Sequence, residues 1–495
     1  MNLSRIVLRH AQCEPDAVAL HWEGQDIRYP QFWERICRTT DDLQSQGVTV
    51  GDRVAWLGLN DPAMLVLLFA LARIGAILLP LNHRLAVAEL TDILLHAEAC
   101  LLVHDAHHAQ SAQALADGKP WRSMGSASLG TAGSDANTSA TQSGLSGTDA
   151  SPVLLVYTSG TSGKPKGALY TQAALIWNCV NATHAQDLRA SDHALTVLPM
   201  FHVGGLCIQT LPVLHAGGCV TLHPRFDAAR WLSAVQTRRP SLTVMVPATL
   251  RAVCEHPDWA GTDLSALRLV VAGSSVVPRT LIDTFHARGI PVGQVYGATE
   301  TGPVSIYLRR DDAMRVPGAA GRAGLHVAVR LVDALGFDVQ PGAVGEIWIR
   351  APNLMQGYWR EPDNPSYAEG WFRSGDLARQ DQEGFYWVVG RARDLIISGG
   401  ENIYPAEIEN LLVADPRIAE ATVIGQPDAR WGEVAVAIVV RRPGTTVDAD
   451  AVTALLDGRI ARFKMPRKVL FRDELPKTAL GKVQKSRLLE WMARL

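Results

Sequence analysis

Paired cysteines are missing from this chain. The seven cysteines among 495 residues (Cys13, Cys37, Cys100, Cys179, Cys207, Cys219 and Cys254) include no CxxC pair, and their number is odd. That excludes a complete disulfide framework and points to reduced, mostly buried thiols, hence to the cytoplasm. A basic excess is missing too. The net charge of -2 leaves nothing to neutralise nucleic-acid phosphates. A long apolar run is the third absence. The most apolar stretch, "AMLVLLFALARIGAILL" (63–79), is short for a bilayer span and carries Arg73. It reads as a buried helix followed by a strand, so no integral membrane segment is expected. Behind Arg5 and Arg9 of "MNLSRIVLRHAQ" stands no apolar run, so a secretory signal is not expected. That segment suits an organelle transit peptide or an amphipathic helix equally well.

What the chain does have is apolar content of 47% in a length too great for one core, so two or more domains are expected. From Val54 onward, strand-like runs ("VAWLGL", "VLLVY", "ALTVLP", "LTVMVP", "LRLVVAG", "VGQVYG") end in Gly, Ser or Pro loops with helical segments behind them. That alternation predicts an α/β fold with a mostly parallel sheet. Ligands in such folds sit beyond the carboxyl ends of the strands. Residues 123–152 are low in complexity and predict a surface loop inserted in the large domain. Near residue 390 the pattern changes. "GEIWIR" and "GFYWVVGRARDLIISGG" read as paired strands. Helices are expected at "YPAEIENLLVADP", at "AVTALLDGRIARF" and after Gly481, with strands at "EATVIG" and "VAVAIVV". The expected division is a large domain, 1–392, and a small α+β domain, 393–495.

The stretch "VLLVYTSGTSGKPKGALYTQ" carries the chemistry most openly. Gly160 and Gly163 let successive N–H groups face one space. Thr158, Ser159, Thr161 and Ser162 add hydroxyls, and Lys164 and Lys166 add charge: equipment for a polyphosphate. A flexible linker with a solvated "KPK" turn is the plain alternative, opposed by the buried strand directly before it. The Walker motif is excluded by the spacing of the glycines and by Pro165 after Lys164. In "QVYGATETG", Tyr296 offers a flat face to a purine, Thr299 a hydroxyl to an anion, and Glu300 a hard oxygen to Mg²⁺. Asp376 of "WFRSGDLA" and Arg391 suit ribose hydroxyls. Taken singly, each has a duller reading: core tyrosine, solvated glutamate, turn aspartate, and for Lys482 of "PKTALGK" an ordinary surface lysine.

The set resembles the adenylate-forming superfamily, which includes acyl- and aryl-CoA synthetases, nonribosomal adenylation domains and luciferase. Seven motifs stand in the family's order over nearly the whole chain: "YTSGTSGKPKG", "LPMFHVGGL", "YGATETG", "GEIWIR", "WFRSGDLA", "GRARDLIISGGENIYPAEIE" and "PKTALGK". Ser162 stands where Thr is common, and Ala298 where Met is common. The resemblance implies an acid–thiol ligase working through an acyl-adenylate, with ATP, Mg²⁺ and coenzyme A. By it, residues 158–167 embrace the β- and γ-phosphates, and Mg²⁺ lies near Glu300 and Thr161. Tyr296 and Gly297 line the adenine site with Gly273, Ser274 and Ser275. Asp376 and Arg391 hold the ribose, Thr299 contacts the AMP phosphate, and Lys482 reaches the acid and the α-phosphate. A hinge at Arg393 then swings the small domain, removing Lys482 and bringing Gly399 and Gly400 to the pantetheine tunnel. Trp431 and Lys464 are expected to help bind CoA.

By the same resemblance His202 gates the acid pocket, lined by Val203, Gly204, Gly205, Leu206, Val246, Gly273, Ala298, Gly302, Pro303 and Val304. This lining has no fixed charge, Arg251 near "VPATL" being the one candidate exception. An aromatic or medium-sized hydrophobic monocarboxylate is expected, with a long-chain fatty acid as runner-up. A separate acyl-carrier protein is the alternative acceptor, and a homodimer is kept open. Two other classes, a non-catalytic acyl or nucleotide sensor and a luciferase-type oxygenase, stand further off. A sensor has no need of Lys482, Glu300 and the whole loop together.

Overall fold

The computed structural model describes residues 2–130, 145–158, 165–273, 277–361, 366–398, 401–428, 430–478 and 481–494. They form four sheets. In the nine-stranded sheet, the strands Val292–Tyr296, Leu269–Ala272, Leu242–Met245, His193–Thr196, Cys219–Leu222 and Val18–Trp22 run parallel in that order. The seven-stranded sheet has a parallel run of Pro152–Thr158, Ile77–Pro80, Arg53–Leu57, Ala99–His104 and Arg122–Gly125. Helices cover both, so central strands such as Leu269–Ala272 (LVVA) read as near-continuous apolar runs. The helix Pro62–Ile74 shows why sequence signals worked here. Asp61 Oδ1 accepts from Ala63 N at 2.7 Å, proline takes the first turn, and Gly75 closes it at φ +85°. The helix is buried almost throughout, with Arg73 stacked on Trp33. Among the described residues no helix is long and apolar enough to cross a membrane.

Several expectations change. Pro152–Thr158 is followed by an antiparallel partner, Lys166–Thr171, and only then by the helix Gln172–Gln186. The alternation in "KGALYT" becomes a strand one in from the sheet edge, flanked by Pro152–Thr158 and Gly357–Tyr358. The strand Val292–Tyr296 likewise continues into antiparallel Ile306–Tyr307. "GEIWIR" pairs with Trp371–Gln380, which in turn pairs with Tyr386–Arg391, so the two expected partners are separated by a third strand in an antiparallel sheet. Both ends of 123–152 belong to the fold. Ser123 to Gly125 complete a sheet strand, and Gly147 is packed so closely that a Cβ would lie 2.0 Å from Ala72 O. The rest of that expected loop, 131–144, lies outside the described residues. All seven cysteines are free, but only Cys179 and Cys207 are buried, so "mostly buried" is corrected.

The fourth sheet comprises Ile396–Ser398, Glu401–Ile403, Ile418–Asp428, Gly432–Arg441 and Lys468–Arg472. It has a core of its own, in which Ile408 and Leu412 of the helix Pro405–Val413 meet Val423, Ala437 and Val452. The helix expected at 451–463 is shorter, Ala449–Ala454, and Gly458 at φ +69° turns the chain beyond it.

Candidate active site

The carboxyl end of the parallel strand Val292–Tyr296 meets Asp376. Tyr296, last residue of its strand, donates its hydroxyl to Asp376 Oδ2 at 2.9 Å. Arg391, the register partner of Asp376, places Nε 2.9 Å from Oδ1. The tight turn expected before Asp376 is instead a β-bulge inside the strand Trp371–Gln380, with Gly375 at φ +69°, and Asp376 is 8% exposed. Burial, and then the Asp376 charge, push the Tyr296 hydroxyl well above its ordinary value, so it stays a donor. The Asp376→Ala variant strands both donors. A lost hydrogen bond to a charged group predicts a KM for ATP raised roughly 10- to 100-fold. Steady-state kinetics should show this with KM for CoA little changed.

Just beyond Tyr296, the turn Thr299–Thr301 presents Glu300. Among the described residues one hydroxyl bonds it, Tyr358 Oη at 2.7 Å on Oε1. Tyr358 also lies 5.1 Å beneath Lys166 Nζ, which pairs with Glu361 at 2.6 Å. Tyr358 belongs to the strand Gly357–Tyr358, which pairs with Lys166–Thr171. Thus the end of the hydroxyl-rich loop and the candidate metal carboxylate are joined through a tyrosine that sequence reasoning missed. Nothing local in "GYW" announces it; only the pairing does. Thr158 Oγ1 lies 3.5 Å from Lys166 O across the hairpin. Ser159, Gly160, Thr161, Ser162, Gly163, Lys164, Ser274, Ser275, Gly399 and Gly400 lie outside the described residues.

Some expected lining residues turn out to be closely packed. A Cβ on Gly273 would lie 2.8 Å from Val295 O, on Gly297 2.6 Å from Pro303 O, and on Gly302 2.6 Å from Asn353 O. On Gly205 it would lie 2.3 Å from Pro199 O. These glycines let backbones approach. Val203, Leu206, Val246 and Val304 are buried in the main core, and Ala298 N bonds Thr301 Oγ1 at 2.9 Å. His202 precedes the turn Val203–Gly205 and stacks on Phe201 at 4.6 Å. Its Nε2 is buried without a partner among the described residues. Burial, with the Arg84 charge second, lowers its pKa to about 4, so it is neutral at neutral pH. Arg251 donates from Nη1 to Ala419 O at 2.6 Å, which spends its guanidinium on the fourth sheet.

The Lys482 loop reaches the same region. Gly481, at φ +78°, lies so near the helix Pro247–Cys254 that its Cβ would be 3.6 Å from that of Ala248. Lys482 is exposed to solvent. Desolvation, then the positive charge of Arg391, lowers its pKa to about 8, while Asp376 acts the other way. A second bridge, Arg442 to Glu255 at 2.7 Å, holds the fourth sheet in place. Trp431 is exposed, with Arg430 over its ring at 4.9 Å, and Lys464 pairs with Glu407 at 2.7 Å. Arg393 sits in the turn Ala392–Asp394, its Nε 3.6 Å from Asp394 Oδ1.

Residues 7–359 match the model of the AMP-binding enzyme family, and residues 407–482 match that of the AMP-binding enzyme C-terminal domain. The chain is 46% identical to an indoleacetate–CoA ligase of Aromatoleum aromaticum, over 100% of this chain and 99% of the relative. It is 42% identical to a feruloyl-CoA synthase of an Amycolatopsis species, over 97% and 96%. Among solved structures, ATP-bound MatB from Rhodopseudomonas palustris superposes with a TM-score of 0.90 at 31% identity, covering 99% of each chain. The chain therefore belongs to the AMP-binding enzyme family, in its branch of acid–CoA ligases.

Proposed function

We propose that this ligase activates an aromatic monocarboxylate, with Asp376 as the nucleotide anchor and Lys482 as the charge that drives adenylation. The supporting observation is the convergence of the Lys482 loop on the Tyr296–Asp376–Arg391 cluster. In the first step a carboxylate oxygen of the acid bonds to the α-phosphorus of ATP and pyrophosphate leaves. In the second the CoA sulfur bonds to the acyl carbon, its proton passes to solvent, and AMP leaves. Tyr296 and Arg391 orient the Asp376 carboxylate toward the ribose hydroxyls. The Lys482 ammonium neutralises charge growing between acid and α-phosphate. Residues 158–167 hold the outer phosphates.

Glu300 fits a magnesium site: a carboxylate with a single described partner, on one oxygen. Thr161 would join it. When bound, magnesium supplies neutralisation of the phosphate oxygens. Chain 1–392 forms the large domain and 393–495 the mobile one, turning at Arg393. Thr299 contacts the AMP phosphate, and Trp431 with Lys464 steadies CoA. The enzyme works in the cytoplasm, as a homodimer.

The aromatic preference rests on the two relatives above, both named for aromatic monocarboxylates. With His202 neutral against Phe201 and Arg251 bonded to Ala419, neither of these side chains adds a charge to the acid pocket. Mass spectrometry of products from Mg-ATP, CoA and a mixed pool of aromatic, medium-chain and long-chain acids tests this. Aromatic acyl-CoA should dominate. Dominance of a long-chain thioester would overturn the acid class. Adenylates without thioesters would replace CoA by a carrier protein.

A further inference from the structure

One group of ligating side chains lies outside the site described above. His21, His193 and Cys219 each present a donor atom within 4.8 Å of the others. They come from three adjacent parallel strands, Val18–Trp22, Cys219–Leu222 and His193–Thr196. Cys219 is the register partner of His193, and Thr221 of His21. Cys219 and Thr221 are two residues apart, so both project from one face of the sheet. The two imidazole centroids are 5.2 Å apart.

The surroundings orient these rings as metal sites do. Asp26, opposite His21 in the hairpin, places Oδ1 2.5 Å from His21 Nδ1. A carboxylate there keeps the proton on Nδ1 and frees the Nε2 lone pair. His193 donates from its other ring nitrogen to the Arg238 backbone, so its lone pair is on Nε2, 2.7 Å from Thr221 Oγ1, a hydroxyl that a metal would displace. A cavity of about 460 Å³ borders the cluster at His21, with Thr221, Arg230 and Arg238 also in its wall.

We propose that His21, His193 and Cys219 bind one Zn²⁺, with water from this cavity completing a tetrahedron. Two imidazoles and a thiolate suit zinc, whereas magnesium and calcium prefer oxygen. Tetrahedral zinc with bonds of 2.0–2.3 Å sets its ligands roughly 3.5 Å apart, so binding draws these donors together by about 1 Å. The Cys219 proton passes to solvent as the Zn–S bond forms. Thiolate and Asp26 carboxylate together balance the metal's charge. The ion would tie the N-terminal strand to the two strands beside it, apart from the ATP chemistry.

The full-length chain, stripped with chelator, should take up one zinc per molecule by calorimetry. Cobalt in its place should show a thiolate-to-metal charge-transfer band. Cys219→Ser should abolish that band, and both Cys219→Ser and His21→Ala should weaken zinc binding at least tenfold. His21→Ala, on the accessible side, reports if the serine variant folds poorly. Zinc should also raise the melting temperature of the parent only. Absence of saturable zinc binding overturns the site, as does a band or affinity unchanged in these variants.

Discussion

The Lys482→Ala variant should form acyl-adenylate roughly 10²- to 10³-fold more slowly, the usual effect of deleting a group aimed at developing charge. The acid is a weak nucleophile meeting an anionic phosphate, so charge neutralisation decides this step. Thioester formation from supplied acyl-adenylate should stay within about threefold, because the lysine contributes nothing to that transition state. Pyrophosphate release and thioester yield measure the two halves separately. Equal losses in both would refute the assignment. The same lysine predicts a pH limb. Desolvation and Arg391 hold its pKa near about 8 in the free enzyme, so the charged form declines above that pH. The kcat/KM for ATP, which reports free-enzyme groups, should fall as pH rises through about 8. Bound ATP restores negative charge beside the ammonium, so the limb in kcat should sit higher. Lys482→Arg keeps its charge at every accessible pH and should lose the limb, whatever rate its different geometry costs.

How much of this was legible in the sequence depends on distance along the chain. The parallel strands Leu242–Met245 and Leu269–Ala272 were readable because burial on both faces writes a near-continuous apolar run, broken only by Thr243. Tyr296, Asp376, Arg391 and Lys482 were legible as an ordered set of motifs, and the structure brings them near one another. Tyr358 was not legible. Its bond to Glu300 exists because a two-residue strand pairs with Lys166–Thr171, and so short an element leaves no periodicity. The packing role of Gly297 and Gly302 was hidden for a related reason. A glycine needed for backbone approach and one bordering a ligand look alike in sequence. Arg251 read as a pocket charge until its carbonyl partner on the fourth sheet appeared. That partner lies beyond any local pattern.

The Arg393→Pro variant should keep adenylation within about threefold and lose thioester formation on the order of a hundredfold. The structure holds the Lys482 loop over the nucleotide cluster, and two bridges, Arg251 to Ala419 and Arg442 to Glu255, pin the fourth sheet there. For CoA to reach the adenylate, Lys482 must withdraw, and a few residues must absorb the rotation. The turn Ala392–Asp394 is short, its arginine exposed, and it joins two sheets with separate cores. Proline at 393 fixes φ near −65°, a value a 3₁₀ turn already uses, so the adenylation arrangement survives at modest cost to Ala392. The rotated arrangement needs that angle to change and is closed off. Arg393→Gly, which leaves the angle free, should retain both half-reactions and shows that the loss comes from stiffness rather than from the missing guanidinium. Full thioester formation by the proline variant would place the pivot elsewhere in the chain. Loss in the glycine variant as well would make Arg393 a binding residue for CoA.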